Sequence, residues 1–274
     1  MLRFCLSIIT TLVFATGALA QNLGSVDTLY RALGLPDVIE IMREEGVSYG
    51  DVMQKDLLQG RGGDRWDALV DDIYNLDQMV AIVRTRLDRE LAGEDLAPMI
   101  AFFDSEIGRQ IVQLEVSARR AFLETEIEDA AKDALALMID NEDPRLDLIE
   151  DFAAAGDYIE NNVMGALNSN FAFFVGLNAS GDFPVEMSEE DIIADVWGQE
   201  PEIRDTTTQW LYAYLGLAYQ PLSDDQLQTY IDFARTPEGR VLNQAIFSAF
   251  DEMFIVISES LGRAASQFLA GQEL

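Results

Sequence analysis

Phe102-Phe103-Asp104-Ser105-Glu106-Ile107-Gly108-Arg109 is a stretch in which one helical pattern ends and the next begins. A related stretch follows later in the chain, Phe233-Ala234-Arg235-Thr236-Pro237-Glu238-Gly239-Arg240. We call them the first and second junctions. In both, Phe stands near the end of one helix, and a Ser or Thr can cap the next by accepting a hydrogen bond from an exposed amide. The two junctions decide how the rest of the chain is divided into helices.

The residues after each cap also suit the start of a helix. Pro237 fits the first helical position, where its missing N–H costs nothing. Glu106 and Glu238 complement the positive end of the helix dipole. Helix-capping chemistry therefore explains most positions of the junctions, and we interpret them as structural joints.

The glycines and arginines of the junctions need a further explanation. Gly108 and Gly239 lie in the first helical turn, where glycine is a poor helix former, so we expect another helix to approach closely there. Arg109 and Arg240 are unfavourable near the positive end of the dipole and should find a carboxylate or a C-terminal carbonyl. A ligand site centred on the two arginines is the alternative. The predicted junction residues are Phe102, Ser105, Gly108, Arg109, Phe233, Thr236, Pro237, Gly239 and Arg240.

Apolar residues recur at helical spacing along most of the chain, and no stretch alternates with a period of two. The fold class predicted is therefore all-α. One continuous helix is expected over each of residues 64–91, 106–140, 145–177 and 241–269. A shorter helix from Asp37 is expected to end at Gly46.

Matching residues recur at one constant separation along the chain. The identities include Trp66 with Trp197, Leu91 with Leu222, Leu96 with Leu227, Ile100 with Ile231, and the Phe, Gly and Arg of the junctions. We interpret this as two tandem helical repeats, residues 21–140 and 145–274, packed into one compact unit. In each repeat, short helices lead through a capped junction into a long amphipathic helix.

The first twenty residues are typical of a secretory signal peptide. Arg3 precedes an apolar stretch over residues 4–14, and Ala18-Leu19-Ala20 fits the small-residue cleavage rule. No later segment approaches the uninterrupted apolar length of a membrane span. We therefore expect cleavage near Ala20, a periplasmic or secreted protein, and no stable membrane insertion afterwards.

Charge and composition exclude several classes of function. The chain has 49 acidic and 18 basic residues, a formal net charge of -31, which repels phosphate backbones, so no nucleic-acid partner is expected. There is no histidine, and the single cysteine, Cys5, lies in the predicted signal peptide. His-based general bases, Cys–His nucleophile systems and the usual zinc ligands are thereby excluded from the processed protein. No cofactor is expected.

One loop has some features of a calcium site. Ligand positions one, three, five and twelve would be filled by Asn178, Ser180, Asp182 and Glu189. Position six, which requires glycine, is Phe183. An acidic surface loop is the simpler interpretation.

Two other sets of residues are candidate sites. Acidic runs occur at Glu124, Glu126, Glu128 and Asp129, and at Asp140, Glu142 and Asp143. These runs are typical of solvated helix faces. Aromatic residues that could line an apolar pocket, or simply pack in the core, are Trp66, Trp197, Trp210, Tyr212, Tyr214 and Tyr219.

The chain resembles the bacterial exported proteins grouped as domain of unknown function 2059. The resemblance lies in the order of a short acidic helix, Phe, Ser/Thr-Pro/Glu-x-Gly-Arg and a long apolar helix. The second copy, Ser223 to Gly239, is the closer match, while the first has Glu106 in place of Pro. The resemblance covers mainly residues 91–140 and 222–270. It implies an all-helical exported protein and no particular activity.

The leading functional hypothesis is a non-enzymatic protein that acts by binding or interaction with an unknown protein or envelope partner. The alternative is a carboxylate-dependent hydrolase acting on envelope polymers, which would require two acids facing each other across a cleft. A third possibility is an acidic cation buffer. A cleft holding two or more buried carboxylates with raised pKa values would favour the enzyme. A continuous exposed apolar groove would favour binding of a helix or lipid.

Overall fold

A computed structural model of the chain describes residues 25–179 and 188–269. Within these two ranges the regular secondary structure is entirely α-helical, and no strand occurs, so the all-α prediction is confirmed. The predicted signal peptide and most of the candidate calcium loop lie outside the described residues.

The first half of the described chain forms α1 (Val26–Ala32), α2 (Leu35–Asp56), α3 (Asp64–Ile73), α4 (Leu76–Glu90), α5 (Ala97–Phe103), α6 (Glu106–Ala121) and α7 (Thr125–Asp140). The second half forms α8 (Pro144–Ala155), α9 (Tyr158–Asn178), α10 (Glu189–Gly198), α11 (Glu200–Tyr219), α12 (Asp224–Ala234) and α13 (Pro237–Leu269).

Three of the expected long helices are broken, which corrects the prediction. The helix expected over residues 64–91 divides at Asn75, whose side chain accepts a hydrogen bond from Gln78 N at 3.1 Å and caps α4. The one expected over 106–140 divides at Phe122, which is buried edge-on against Trp210 and Tyr214. In the third, α8 ends at Gly156 and Asp157 turns the chain with φ 50°. The apolar residues keep their helical spacing across each break, because the helix before it and the helix after it each bury one apolar face.

Gly46 does not end a helix, contrary to expectation, and α2 continues through it to Asp56. A Cβ atom added at Gly46 would lie 1.9 Å from Cε1 of Tyr74. A Cβ at Gly50 would lie 2.6 Å from Cγ1 of Val70. The two glycines therefore let α3 and the turn after it approach α2, a use that outweighs their low helix propensity.

The two halves pack against each other through their longest segments. α13 packs on α9 of its own half and on α4 of the other, while α11 packs on both α6 and α7. Buried residues of both halves belong to one hydrophobic cluster, which includes Trp66, Met79, Tyr219 and Met253. The core therefore lies between the halves as well as within them.

The helix contacts within the two halves follow a similar order. In the first half α1 contacts α5, and α2 contacts α3 and α4. In the second half α8 contacts α12, and α9 contacts α10 and α11. The first junction leads into α6 and α7, and the second leads into the single helix α13.

By length and apolar composition, α13 could span a membrane, and it is the only such helix in the described ranges. The core helices of globular folds meet the same criterion. One face of α13 is buried against α9 and α4, through residues such as Leu242, Ala249, Met253 and Ile257.

Candidate functional site

Both junctions use the same local hydrogen bonds. Ser105 Oγ accepts from Gly108 N at 3.0 Å and donates to the Phe102 carbonyl at 2.5 Å. Thr236 Oγ1 accepts from Gly239 N at 3.0 Å and donates to the Phe233 carbonyl at 2.7 Å. Each hydroxyl therefore holds the start of one helix against the end of the preceding one.

The junction glycines explain why the two helix ends can come so close. A Cβ at Gly108 would lie 2.1 Å from the Phe102 carbonyl oxygen, and a Cβ at Gly239 equally close to that of Phe233. The approaching element is thus the preceding helix, α5 or α12, rather than a distant one. Pro237 is the first residue of α13.

The two junction arginines do not line a common pocket. Arg109 donates to the carbonyl of Asp104, the C-cap of α5, and borders a depression near α1. Arg240 is exposed and does not line that depression. This arrangement does not favour the alternative of a ligand site centred on both arginines.

The junctions meet in space through their aromatic residues. The rings of Phe102 and Phe233 are stacked with centroids 4.0 Å apart and an interplanar angle of 8°. The Tyr230 ring stacks on Phe102 from a centroid distance of 5.7 Å. The contact joins the halves of the molecule beside a central cavity, which Phe233 and Tyr230 also line.

The central cavity has a volume of about 550 Å³ and lies among α2, α6, α9, α11 and α13. Its walls are mostly apolar and strongly aromatic. The aromatic residues that line it are Phe103, Phe152, Tyr158, Trp210, Tyr214, Tyr219, Tyr230, Phe233, Phe247, Phe250 and Phe254. Ligand pockets of proteins have this size and character, with a few polar groups that orient the ligand.

Glu115 of α6 is the notable polar group of the cavity. Its Oε1 accepts a hydrogen bond from the Tyr219 hydroxyl at 2.6 Å, and its carbonyl accepts one from the Tyr214 hydroxyl at 2.9 Å. Burial raises the pKa of Glu115 to about 7, although hydrogen bonds from Tyr219 and Tyr230 oppose the rise. Because Glu115 lines the cavity, its remaining accessible surface can face a ligand there.

The surrounding tyrosines stay protonated at neutral pH. Burial and the nearby Glu115 raise the pKa values of Tyr158, Tyr214, Tyr219 and Tyr230. The hydroxyls of Tyr219 and Tyr230 can therefore donate hydrogen bonds to the carboxylate of Glu115.

The one arginine of the cavity wall is already engaged. Arg119, one turn after Glu115, binds both carboxylate oxygens of Glu45, with Nε–Oε1 at 2.7 Å and Nη2–Oε2 at 2.5 Å. Its guanidinium also lies over the ring of Trp210, 5.4 Å from the centroid. No salt bridge joins Glu115 to any cation in the described part of the chain.

A second acid, Asp251 of α13, also lines the cavity. Its two oxygens accept hydrogen bonds from Asn168 Nδ2 at 3.1 and 3.3 Å. Within residues 25–179 and 188–269, no group of three or more acidic residues is placed to hold a metal ion.

The candidate aromatic residues divide into three groups. Trp210, Tyr214 and Tyr219 line the cavity. Trp66 is fully buried elsewhere, where its Nε1 donates to the Gly50 carbonyl at 2.8 Å. Trp197 is 54 % exposed, and Tyr212 packs beside a smaller hydrophobic cluster near Phe122.

The acidic runs are mainly on the surface. Glu124 and Glu126 are exposed at the start of α7, and Glu128 pairs with Lys132 at 2.5 Å. Asp143 caps α8 by accepting a hydrogen bond from Arg145 N at 2.9 Å. Of the calcium candidates, only the flanking Asn178 and Glu189 lie in the described ranges, at helix ends.

Sequence analysis did not identify Glu115, although a signal was present. The buried residues of α6 include Gly108, Ile111 and Ala118, which mark one face of the helix. Glu115 follows Ile111 by one turn and belongs to that face. An acid within an apolar helical stripe is a stronger indication of function than an acidic run on a polar face.

Fold and site together define an all-helical protein with an aromatic cavity between its two halves and a buried carboxyl group in the cavity wall. Residues 77–136 match the family model described as "Uncharacterized protein conserved in bacteria", domain of unknown function 2059. The resemblance is thus confirmed over α4 to α7, the segment that includes the first junction and Glu115. A tandem copy, and a closer match of the second junction, are not confirmed by this finding. Comparisons with curated proteins and with solved structures gave no match.

Proposed function

We propose that this is an exported, non-enzymatic binding protein whose central cavity holds a mostly apolar small molecule. The observation that carries the proposal is the cavity of about 550 Å³, with aromatic and aliphatic walls and few polar groups. Hydration of such a surface is unfavourable, and an apolar ligand would displace that water. Export rests on the signal peptide predicted over residues 1–20, with the periplasm as the proposed location.

The tandem duplication belongs to the same proposal. It is supported by the similar order of helix contacts within each half and by identical capping at both junctions. In this interpretation, the cavity arises where the two copies meet. Glu115 and Arg119 would then be features of one copy, because the corresponding positions of the other are Ile246 and Phe250.

The alternative of a carboxylate-dependent hydrolase has less support. Paired-carboxyl hydrolysis needs one acid that stays protonated and a second, ionised acid at a set distance across the substrate. Glu115 fits the first role, but Asp251 is engaged by Asn168 and does not form a described pair with it. A single buried carboxyl group in an apolar cavity favours binding.

The test is a titration of the protein, as processed by the cell, with the neutral fluorescent probe N-phenyl-1-naphthylamine. We expect saturable binding to one site. Ala166 lines the cavity, so Ala166→Phe should fill part of it and weaken binding about tenfold or more, the loss expected when several apolar contacts are removed.

The matched control is Ala154→Phe, which adds the same volume at an exposed position of α8. It should bind the probe as the unmodified protein does. Equal binding by both variants, or fluorescence that rises without saturating, would contradict a role for the cavity.

A further inference from the structure

Glu115 differs from an ordinary buried acid because no cation in the described part of the chain forms a salt bridge with it. Its neighbours are hydroxyl groups, of which Tyr219 is the nearest at 2.6 Å. The guanidinium of Arg119, one turn away, is occupied by Glu45. Buried carboxylates are normally paired, since an isolated charge away from water is costly. The structure thus supplies hydrogen bonds to Glu115 but leaves its charge without a counterion.

Aromatic rings surround this carboxyl group. Phe152 lies at the centre of the cluster, with ring centroids 4.6 Å from Tyr230, 5.1 Å from Tyr158 and 5.3 Å from Tyr219. All four residues line the same cavity. The faces of aromatic rings attract cations, and combinations of such rings with a carboxylate suit organic ammonium groups.

Charged groups elsewhere in the molecule also favour a cationic ligand. The second acid of the cavity wall, Asp251, has no salt bridge to a cation among the described residues, whereas the one arginine of the wall is paired. The whole chain carries a formal net charge of -31. This field attracts cations to the cavity and repels anions.

We infer that the central cavity binds an amphipathic cation, an alkyl or aryl amine whose ammonium group lies against Glu115 among the tyrosine rings. The apolar part of the ligand is covered by the remaining walls, to which Trp210, Phe247 and Phe254 contribute. The inference rests on the proposed binding function and specifies its ligand class. Glu115 is the residue that distinguishes an amine from a neutral or anionic molecule of the same length.

The experiment is isothermal titration calorimetry at pH 8 with octylamine, 1-octanol and octanoate, which share one chain length. We expect octylamine to bind about tenfold or more tightly than 1-octanol, because a hydrogen-bonded charge pair contributes more than a neutral contact. Octanoate should bind most weakly, since its carboxylate meets Glu115 and Asp251.

Two variants test whether Glu115 causes the preference for octylamine over 1-octanol. Glu115→Gln should lower the affinity for octylamine to about that for 1-octanol. The affinity for 1-octanol should stay within about twofold of its value in the unmodified protein. Glu126→Gln is the matched control, because it removes the same charge from an exposed position on α7. It should change neither affinity.

A second measurement uses the unmodified protein and does not depend on the folding of a variant. Between pH 8 and pH 6 the affinity for octylamine should fall, because protonation of Glu115 removes the negative charge. The other charged groups of the wall are Arg119, which is paired with Glu45, and Asp251, which accepts hydrogen bonds from Asn168. The neighbouring tyrosines stay neutral in this range, namely Tyr158, Tyr214, Tyr219 and Tyr230. The affinity for 1-octanol should not change.

The outcomes separate this inference from the proposed function. Equal affinities for octylamine and 1-octanol would overturn the cation inference and leave the apolar cavity in place. Preferential binding of octanoate would overturn it as well and indicate an anionic lipid. Failure of all three compounds to bind would contradict the binding function itself.

Discussion

Glu115 is an ionisable residue at a position that the fold buries. A carboxyl group on the buried face of α6 opposes folding whenever it is ionised, because it loses hydration without gaining a counterion. Hydrogen bonds from tyrosine hydroxyls reduce this cost but do not remove it. Residues that oppose stability in a cavity wall are typical of functional sites.

The first prediction concerns the pH dependence of stability. The pKa of Glu115 rises from 4.5 to about 7 on folding, so the folded state binds an additional proton between these values. The free energy of unfolding therefore falls as pH rises through this window, by about 3 kcal/mol. Glu115→Gln should remove that dependence, and the variant should gain stability relative to the unmodified protein between pH 5 and pH 8.

Thermal melting followed by circular dichroism at pH 5, 6, 7 and 8 measures this difference. The other acidic residues affect both proteins alike and cancel in the comparison. A melting-temperature difference that stays constant across the series would show that Glu115 keeps an ordinary pKa in the folded state.

The second prediction concerns the junction glycine Gly108. In Gly108→Ala, the new Cβ would lie 2.1 Å from the Phe102 carbonyl oxygen, so α5 and α6 would have to move apart. We expect a loss of about 2–3 kcal/mol of stability, measured by urea denaturation. The control is Gly198→Ala, where no atom lies within 4 Å of the added Cβ and little change is expected. Equal effects of the two substitutions would contradict the close approach.

At the scale of elements, α9 and α13 make the most extensive contact of any helix pair in the described ranges. A Cβ at Gly262 would lie 2.0 Å from the Phe173 carbonyl oxygen, and one at Gly176 would lie 2.0 Å from that of Glu259. Glycines on both helices thus bring the two backbones into contact. This crossing fixes one wall of the cavity, because both helices line it.

The third prediction tests that crossing. Gly262→Ala should destabilise the protein by about 2–3 kcal/mol and alter binding of the neutral probe, since α9 and α13 must separate. Gly165→Ala on α9 is the control for stability, because the nearest atom to its added Cβ is Asp251 Oδ1 at 3.7 Å. Denaturation of both variants and probe titration of Gly262→Ala measure the effects. A destabilised Gly165→Ala variant alongside a stable Gly262→Ala variant would contradict this account of the crossing.

At the scale of the whole molecule, the halves are joined by the stacked rings of Phe102 and Phe233 and by the packing of α13 on α4 and of α11 on α6 and α7. The buried cluster continues across the boundary between the halves. Neither half can therefore bury its apolar surface alone, and we expect them to unfold together.

The fourth prediction tests this link with a double-mutant cycle. Phe102→Leu and Phe233→Leu should show a coupling free energy of about 0.5–1.5 kcal/mol, because each single change already removes the stacked pair. Phe102→Leu combined with Phe122→Leu is the control, since Phe122 packs on Trp210 and Tyr214 instead. The control pair should be additive within about 0.5 kcal/mol. Additive behaviour of Phe102 with Phe233 would contradict the link between the junctions.

The sequence by itself determined the helical class and the start of several helices. Ser25, Ser105, Ser188 and Ser223 cap helices through hydrogen bonds to amides three residues ahead, so the information is local. Only the tertiary structure decided where long helices break, which glycines admit a neighbour, that Phe102 meets Phe233, and that Glu115 faces a cavity. Those features depend on side chains distant in sequence, and a helical period records which face is buried but not what lies against it.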